Sequence, residues 1–243
     1  MKKTLFLILA LACTAAARSQ VLISLILGDN LNTGKIEFGL DGGMSLSTIQ
    51  GAQGAENRMG FNLGFYFDIK TKHPQWMVNT GVVVKGPMGA NGLPVYALND
   101  PDLDAAFDGG SVNTKLNYFY VPICMKYTFK SRIFLRGGIQ PGLFYGATDE
   151  FVNTVKDEDD LTYKLNRKKD FSLLDFGLVT GMGYRLMKGY GMNVGINYYH
   201  GLIDVESGDA GPNLYNRAFY FNVGIPIGKG KAQKKQNGEG KNN

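Results

Sequence analysis

Apolar and polar residues alternate with a period of two in eight separate stretches of this chain. The stretches begin at Ile36, Met59, Trp76, Tyr118, Ile133, Leu174, Tyr190 and Ala218. A period of two is that of a β-strand with two different faces. The stretches are longer than the five or six residues that strands of soluble proteins average, and they approach the roughly nine to eleven that a tilted strand needs to cross a bilayer. The pattern predicts an all-β protein, an eight-stranded antiparallel up-and-down transmembrane β-barrel.

The connections between these stretches alternate between short and long. Three short ones are Thr71 to Gln75, Lys130 to Ser131 and Met187 to Gly189. Barrels of the outer membrane have short periplasmic turns and long extracellular loops, so the short connections predict the periplasmic side. The long connections, rich in Asp, Asn and Gly, predict extracellular loops near residues 48–58, 87–115, 147–170 and 201–216.

Aromatic residues cluster at the predicted strand ends, where Trp and Tyr favour the membrane interfaces. The high strand propensity of aromatic residues is the alternative explanation of this pattern. The predicted periplasmic belt consists of Trp76, Tyr127, Phe129, Tyr184 and Tyr190, and the predicted outer belt includes Tyr145 and Tyr198.

The amino terminus has the pattern of a secretory signal peptide. Lys2 and Lys3 precede an apolar run, and small residues follow it up to Ala17. A lipid-acceptor role for Cys13 is the alternative, and Ala10 argues against it because such motifs usually carry Leu there. We therefore expect export to the outer membrane of a Gram-negative bacterium. The expected segments are a signal peptide at 1–19, a short periplasmic lead-in at 20–34, the barrel at 35–227 and a disordered Lys-rich tail at 228–243.

The formal net charge of +5 does not describe the barrel. Its excess of basic residues lies in the signal peptide and in the tail, which carries five Lys against one Glu. The remaining chain is slightly acidic, which argues against nucleic-acid binding. Without the signal peptide Cys124 is the single cysteine, so the sequence predicts no intramolecular disulfide.

Several phrases of the strands are similar to those of one family. They are Gly-Leu-Asp-Gly-Gly around Leu40 to Gly43, the run Tyr118 to Lys126, Asp175-Phe176-Gly177 with Gly181, Gly183 and Tyr184, and Tyr198 to Leu202 with Asn216 and Arg217. Together, in this order, they resemble the PorT-like outer-membrane β-barrel proteins of Gram-negative bacteria. The resemblance spans roughly Gly34 to Ile227. It implies a barrel in the cell envelope and, for some members, a role in protein secretion. Tyr120 departs from the family's usual Glu, and the chain continues past Ile227.

The inward faces of the predicted strands carry charged residues. An eight-stranded barrel is only wide enough inside for side chains, and buried charges are costly unless they are paired. We therefore expect an ion-pair network that plugs the lumen, and a narrow porin-like channel for ions or small solutes is the alternative. The predicted network consists of Glu37, Asp41, Asp68, Lys85, Lys126, Arg136, Asp175 and Arg185.

Candidate chemistry outside the lumen is sparse. His200 near the outer rim is followed by Glu206 and Ser207, which makes an outer-membrane lipid hydrolase the weakest alternative, and His73 fits a solvated turn. The acidic run that starts at Asp100 lacks the Gly and Glu of a helix-loop-helix calcium site. Its acidic residues and those of the next loop are Asp100, Asp102, Asp104, Asp108, Asp149, Glu150, Asp157, Glu158, Asp159 and Asp160.

The sequence thus predicts no catalytic, cofactor or metal site. Solvated acidic loops are expected, with weak divalent bridging to lipopolysaccharide phosphates as the functional alternative. The segment Val21 to Leu27 is either a short periplasmic element under the barrel or a partner contact. We expect a monomeric, non-enzymatic barrel with a structural or partner-binding role, an accessory to protein secretion or envelope assembly. Its expected partners are outer-membrane lipid, lipopolysaccharide and envelope or secretion proteins.

Overall fold

The computed structural model describes residues 35–154, 156, 161–186, 191–207 and 212–227. The predicted signal peptide, the lead-in with Val21 to Leu27, the Lys-rich tail, the acidic residues 157–160 and Tyr190 lie outside the described residues. No helix in the described ranges is both long and apolar enough to cross a membrane.

Ten strands and one short α-helix form within the described residues. The strands are β1 (Ile36–Gln50), β2 (Glu56–Lys70), β3 (Trp76–Leu93), β4 (Ser111–Tyr120), β5 (Ile123–Thr128), β6 (Ile133–Asn153), β7 (Leu161–Asn166), β8 (Leu174–Arg185), β9 (Asn193–Gly201) and β10 (Tyr215–Pro226). The helix α1 (Pro101–Ala106) lies between β3 and β4.

The strands close into a ring of eight positions, and every pairing in it is antiparallel. In order round the barrel the positions are β1, β2, β3, the pair β4 and β5, β6, β8, β9 and β10, which pairs with β1 again. β4 and β5 occupy one position because they form a single strand that is interrupted at Pro122, which has no backbone N–H for the ladder. The predicted eight-stranded antiparallel up-and-down transmembrane barrel is confirmed.

The outer face of the ring is apolar. Phe61, Leu178 and Phe221 are each about half exposed on three different strands, which the hydrophobic effect disfavours in water and favours in lipid. On the inner face, Asn, Asp, Tyr and Gly residues alternate with these apolar ones. The two faces account for the period of two in the sequence.

Several strands are longer than predicted and continue beyond the ring on the extracellular side. β3 extends to Leu93, β4 already begins at Ser111, and β6 reaches Asn153 and pairs there with β7. The region 87–115, predicted as a loop, is therefore strand at both ends and a loop with helix α1 between them, and the region 147–170 contains the hairpin of β6 and β7. Their Gly, Asn and Thr residues resemble loop composition, and Gly89 and Gly92 do adopt positive φ angles of 124° and 72° within β3.

A β-bulge in β3 changes the predicted direction of one side chain. Leu63 pairs with Lys85 while the next residue, Gly64, pairs with Val83, so Val84 is an extra residue in β3. An extra residue shifts the alternation by one position, as bulges do. Lys85 therefore lies on the outer face, with its Nζ atom 5.7 Å from the ring centre of Phe61, and not in the lumen where the alternation predicted it.

Candidate functional site

The periplasmic half of the lumen contains two buried ion pairs. Lys126 Nζ lies 2.7 Å from Asp68 Oδ2, and Arg185 Nη2 lies 2.8 Å from Glu37 Oε1. The second pair is linked to the first because Arg185 Nη2 is also 3.9 Å from Asp68 Oδ2. Tyr66 donates its hydroxyl to Glu37 Oε1 at 2.9 Å. Four of the predicted lumen charges are thus brought together in one cluster.

Asparagine side chains connect one more predicted charge, Arg136, to this cluster. Arg136 donates from Nε to Asn197 Oδ1 at 2.6 Å and from Nη1 to Asn79 Oδ1 at 2.9 Å. Asn79 donates in turn to Asp68 Oδ1 at 2.6 Å. These asparagines occupy inward positions of the alternating pattern, but a search for charged residues does not select them. The structure therefore shows a network of charges and amides, not of ion pairs alone.

Asp41 is held by an amide and not by a cation. Asn222 Nδ2 donates to Asp41 Oδ2 at 2.6 Å, and Asn222 Oδ1 accepts from Asn62 Nδ2 at 3.2 Å. A small polar space remains beside Asp41, lined also by Asn79 and Arg136. The lumen is therefore polar at this level and is not completely filled.

A layer of tyrosines fills the extracellular half of the lumen. Tyr118, Tyr120 and Tyr199 are completely buried, with the rings of Tyr118 and Tyr120 5.2 Å apart and those of Tyr120 and Tyr199 5.4 Å apart. Tyr120 donates its hydroxyl to Asp175 Oδ2 at 2.8 Å, and Asn216 Nδ2 donates to the same oxygen at 2.8 Å. Asp175 thus belongs to the tyrosine layer and not to the cluster of ion pairs below it.

Glycines on the inner face make room for these rings. A Cβ atom added at Gly142 would collide with the ring of Tyr120, and one added at Gly177 would lie 2.7 Å from ring atoms of Tyr199. Strand interiors disfavour glycine except where another group approaches closely. The glycines of the alternating pattern therefore indicate where the bulky side chains of the plug lie.

Above the membrane, Asp149 and Arg167 hold several segments together. Arg167 contacts Asp170 at 2.7 Å and Asp149 at 3.2 Å, while Tyr96 and Thr114 donate to Asp149 at 2.8 and 2.6 Å. Burial by itself would lower the pKa of Arg167, but its hydrogen bonds to Asp170 and its contacts with Tyr96 and Asp149 hold the pKa above the ordinary value. These contacts join β4, β6, β7 and the segment after β3.

An apolar cluster lies beside these polar contacts. Phe107, Val112 and Phe151 are buried in it, and Tyr163 of β7 packs against them. Asp100 caps helix α1 by accepting hydrogen bonds from the backbone N–H groups of Asp102 and Leu103, and Asp104 accepts one from Leu98. Two acidic residues of the predicted solvated loop therefore support its fold. Among the residues described, no group of three His, Cys, Asp or Glu side chains has the geometry of a metal site.

The predicted interface aromatics that the structure describes form contacts at the two rims. Trp76 stacks edge-on against Tyr127, which contacts Phe129, and Tyr184 lies under the guanidinium of Arg132. At the outer rim, Tyr145 contacts Phe119 and Tyr198 contacts Phe219, with ring centres 4.5 and 4.8 Å apart.

The residues considered for a hydrolase do not contact one another. The hydrogen-bond partner of His200 is the hydroxyl of Tyr198, 3.5 Å from Nδ1. Glu206 lies 3.9 Å from Arg167, and the backbone N–H of Ser207 bonds to Asp170. His73 is exposed in the turn after β2. This arrangement supplies no pairing of a nucleophile with a base.

Comparison with known proteins agrees with this architecture. A family model described as the outer membrane protein beta-barrel domain matches residues 28–207. A search of curated proteins finds no match.

Solved structures with a similar arrangement of strands include three outer-membrane proteins. Ail, the attachment invasion locus protein of Yersinia pestis, is 10% identical, with a TM-score of 0.43 and coverage of 79% of this chain and 99% of Ail. Neisserial surface protein A is also 10% identical, with a TM-score of 0.43 and coverage of 78% and 97%. OprG of Pseudomonas aeruginosa is 16% identical, with a TM-score of 0.37 and coverage of 81% and 95%.

The family model covers well over half of the chain and includes β1 to β9 of the ring. Its match and the closed ring with an apolar outer face lead to the same assignment. This chain belongs to the outer membrane proteins with a β-barrel domain.

Proposed function

We propose that this protein is a closed, non-enzymatic barrel that holds a rigid binding surface outside the cell. The proposal rests on two features together: the lumen contains a layer of ion pairs and a layer of tyrosines, and the sheet continues beyond the membrane. A conducting barrel needs an open path, whereas an anchor for a binding surface needs a stable lumen and an ordered extracellular part.

The contents of the lumen support closure. The ion pairs of Lys126 with Asp68 and of Arg185 with Glu37 occupy the periplasmic half. The tyrosine layer, including Tyr120 and Tyr199, blocks the extracellular half. Eight-stranded barrels offer an interior about as wide as these side chains. A solute would have to displace both layers to pass.

The extracellular sheet supports binding. β2, β3, β4 and β6 rise above the ring side by side, and β7 extends this sheet by one strand. The inner face of β7 packs on the apolar cluster through Leu161, Tyr163 and Leu165. Its other face exposes Thr162 and Lys164. Binding residues are often held on a rigid scaffold in this way.

The partner we propose is a protein of the cell envelope that docks on the sheet. The resemblance to PorT-like proteins favours a role beside protein secretion or envelope assembly. The narrow-channel alternative is favoured by one feature, the polar space beside Asp41 and Arg136. Conductance distinguishes these two functions.

The first test measures single-channel conductance in planar bilayers. We expect no conductance steps from the wild-type barrel and discrete steps only from a variant that opens both layers, with Tyr120→Ala and Tyr199→Ala in the upper one and Lys126→Ala and Arg185→Ala in the lower one. Phe221→Ala on the lipid-facing side is the matched control and is expected to stay closed. Steady cation or anion currents through the wild-type protein would refute closure.

The second test places a photo-crosslinking residue at Lys164 or Thr162 in intact cells. The same residue at His73, in the periplasmic turn, is the control. We expect a discrete adduct from the extracellular positions that is absent from the control position and that is lost when Arg167 is replaced by Ala. Adducts at no position, or equal adducts at all positions, would contradict the proposed binding surface.

A further inference from the structure

Arg217 and His200 stand side by side on the outer face of the ring, at its extracellular end. Arg217 on β10 pairs directly with His200 on β9. The residues that alternate with them, Asn216 and Tyr199, are completely buried in the lumen, so both side chains point away from it. The Cβ atoms of directly opposed residues in an antiparallel pair lie about 4.5–5.5 Å apart. One ligand can therefore contact both side chains.

The nitrogen atoms of this pair are only partly used. Arg217 donates from Nη1 to the backbone oxygens of Gly201 and Asn216, at 2.7 and 2.9 Å, which holds the guanidinium against the strands. None of the ion pairs formed among the described residues includes Arg217. His200 Nδ1 lies 3.5 Å from the hydroxyl of Tyr198, and its Nε2 has no hydrogen bond within the described ranges. A cation and an N–H donor thus face the surroundings of the barrel.

The height of this pair follows from the aromatic residues below it. The next outward residues towards the membrane are Tyr198 and Phe219, which also pair directly and whose ring centres lie 4.8 Å apart. Aromatic belts mark the interface between hydrocarbon and headgroups. Two further residues of a tilted strand rise about 5 Å above that interface. Arg217 and His200 therefore lie at the level of the lipid headgroups of the outer leaflet.

A pocket of about 410 Å³ opens beside Arg217 at this level. It lies between β1, β10 and the turn that leads to β2, and its hydrogen-bonding side chains include Thr48, Gln50 and Asn57. Its volume falls within the range of about 300–1,000 Å³ that is usual for small-ligand sites. The pocket therefore fits a polar headgroup, such as a sugar, that is attached to a group bound by Arg217.

An apolar groove of about 520 Å³ descends from His200 along the lipid-facing surface. Gly137, Thr180 and Tyr198 pair in one row across β6, β8 and β9, and the small size of the first two leaves a depression there. Leu178 forms part of its apolar wall. A hydrocarbon chain that lies in this depression gains dispersion contacts on several sides, which a smooth barrel wall does not offer.

We propose that this surface binds one molecule of lipopolysaccharide through its lipid A part. A phosphate contacts Arg217 and His200, the attached sugar occupies the pocket, and one acyl chain lies in the groove. Charge decides the choice of ligand, because Arg217 has no carboxylate partner and hydrogen bonds from arginine to phosphate are among the strong ones. The site lies on β9 and β10 beside β1, outside the extracellular sheet that ends in β7, so it does not depend on the proposed docking of an envelope protein.

The test titrates the full-length protein in detergent micelles with diphosphoryl lipid A and counts the bound molecules by native mass spectrometry. We expect one molecule per wild-type barrel and about tenfold weaker binding to Arg217→Gln, because hydrogen bonds to charged groups contribute strongly. Lys164→Gln removes a positive charge from the extracellular sheet and is the matched control, which should bind as the wild type does. Thr180→Phe fills the groove, leaves Arg217 unchanged and should also weaken binding.

A second measurement uses the wild type alone. Lipid A without phosphates should bind it about as weakly as diphosphoryl lipid A binds Arg217→Gln. Equal affinity for the two forms of lipid A, or equal binding of phosphatidylglycerol, would overturn the proposal. Displacement of lipid A by millimolar inorganic phosphate would also overturn it, because it would assign the site to a free anion. So would wild-type affinity in an Arg217→Gln barrel whose gel mobility shows that it is folded.

Discussion

The ion pair of Lys126 with Asp68 offers the sharpest test of how the lumen is stabilised. Lys126 Nζ contacts Asp68 Oδ2 at 2.7 Å, with both side chains at most 5% exposed, and it also lies 4.3 Å from the ring centre of Phe134. Removal of one partner of a buried ion pair typically costs about 3–5 kcal/mol because the other charge is left unpaired. Lys126→Met keeps most of the volume of the side chain and removes its charge.

Two contacts reduce the expected cost. Asn79 still donates to Asp68, and Arg185 lies 3.9 Å from it and can move closer. We therefore expect Lys126→Met to lower the free energy of unfolding by about 2–4 kcal/mol, towards the lower end of the range for buried pairs. The double variant with Asp68→Leu removes both charges, and apolar replacement of a buried pair is often close to neutral. It should recover most of the loss.

The assay is equilibrium unfolding by urea in lipid vesicles, followed by tryptophan fluorescence and gel mobility. Trp76 is the single tryptophan and lies at the periplasmic rim, so it reports insertion into the bilayer. The control is Lys164→Met, which removes an exposed lysine paired with Glu150 and should change stability by less than about 1 kcal/mol. If Lys126→Met is neutral, or if the double variant is less stable than the single one, the buried pair does not stabilise the lumen in the way described.

Three further predictions concern the extracellular contacts and the tyrosine layer. Arg167→Ala should increase hydrogen exchange in β7 while leaving the ring protected, because it breaks the contacts with Asp149 that hold the hairpin; exchange that rises equally in all strands would contradict this. Gly142→Ala should lower the midpoint of thermal unfolding by several degrees, because its methyl group collides with Tyr120; an unchanged midpoint would show that the ring can move aside. Burial, and after it the nearby Asp149 carboxylate, raises the pKa of Tyr96 above its ordinary value of 10.0. The hydrogen bond of the Tyr96 hydroxyl to Asp149 therefore contributes its full stability below about pH 10, and this contribution is lost as the pH rises further. Proteolysis of the hairpin should therefore begin above that pH, and Tyr96→Phe should remove this dependence.

Much of the membrane part could be predicted because lipid imposes a strict rule on it. Every second residue of a crossing strand must be apolar, so stretches such as Met59 to Ile69 identify strands by themselves. The bulge at Val84 was not predictable in the same way, because it depends on how Leu63 and Gly64 pair with the neighbouring strand. A single extra residue moved Lys85 to the outer face, although the local alternation placed it inside.

The extracellular parts of the strands were not predicted, because the requirement for an apolar residue at every second position does not apply above the membrane. Above the membrane their outward side chains face water, so polar residues such as Asn113 and Lys115 alternate with buried ones without an apolar outer face. Gly89 and Gly92 added the composition of a loop. The pairing partners of the lumen residues could not be predicted either. The alternation gives the face on which a residue lies but not its height relative to the strands across the barrel.

The way the lumen contacts cross the barrel bears directly on whether it can open. Arg185 on β8 reaches Glu37 on β1, two strands beyond its neighbour, and Lys126 on β5 reaches across β3 to Asp68 on β2. Such contacts join strands that share no backbone hydrogen bonds, so they resist widening of the ring in a direction that the sheet itself does not. Opening a path would separate the buried charges of these ion pairs. The tyrosine layer would still keep water away from the separated charges until it had moved as well. Charges separated in a closed, narrow lumen are unfavourable, whereas the same charges in contact are stabilised. The network therefore supports the proposal of a closed barrel over that of a gated one.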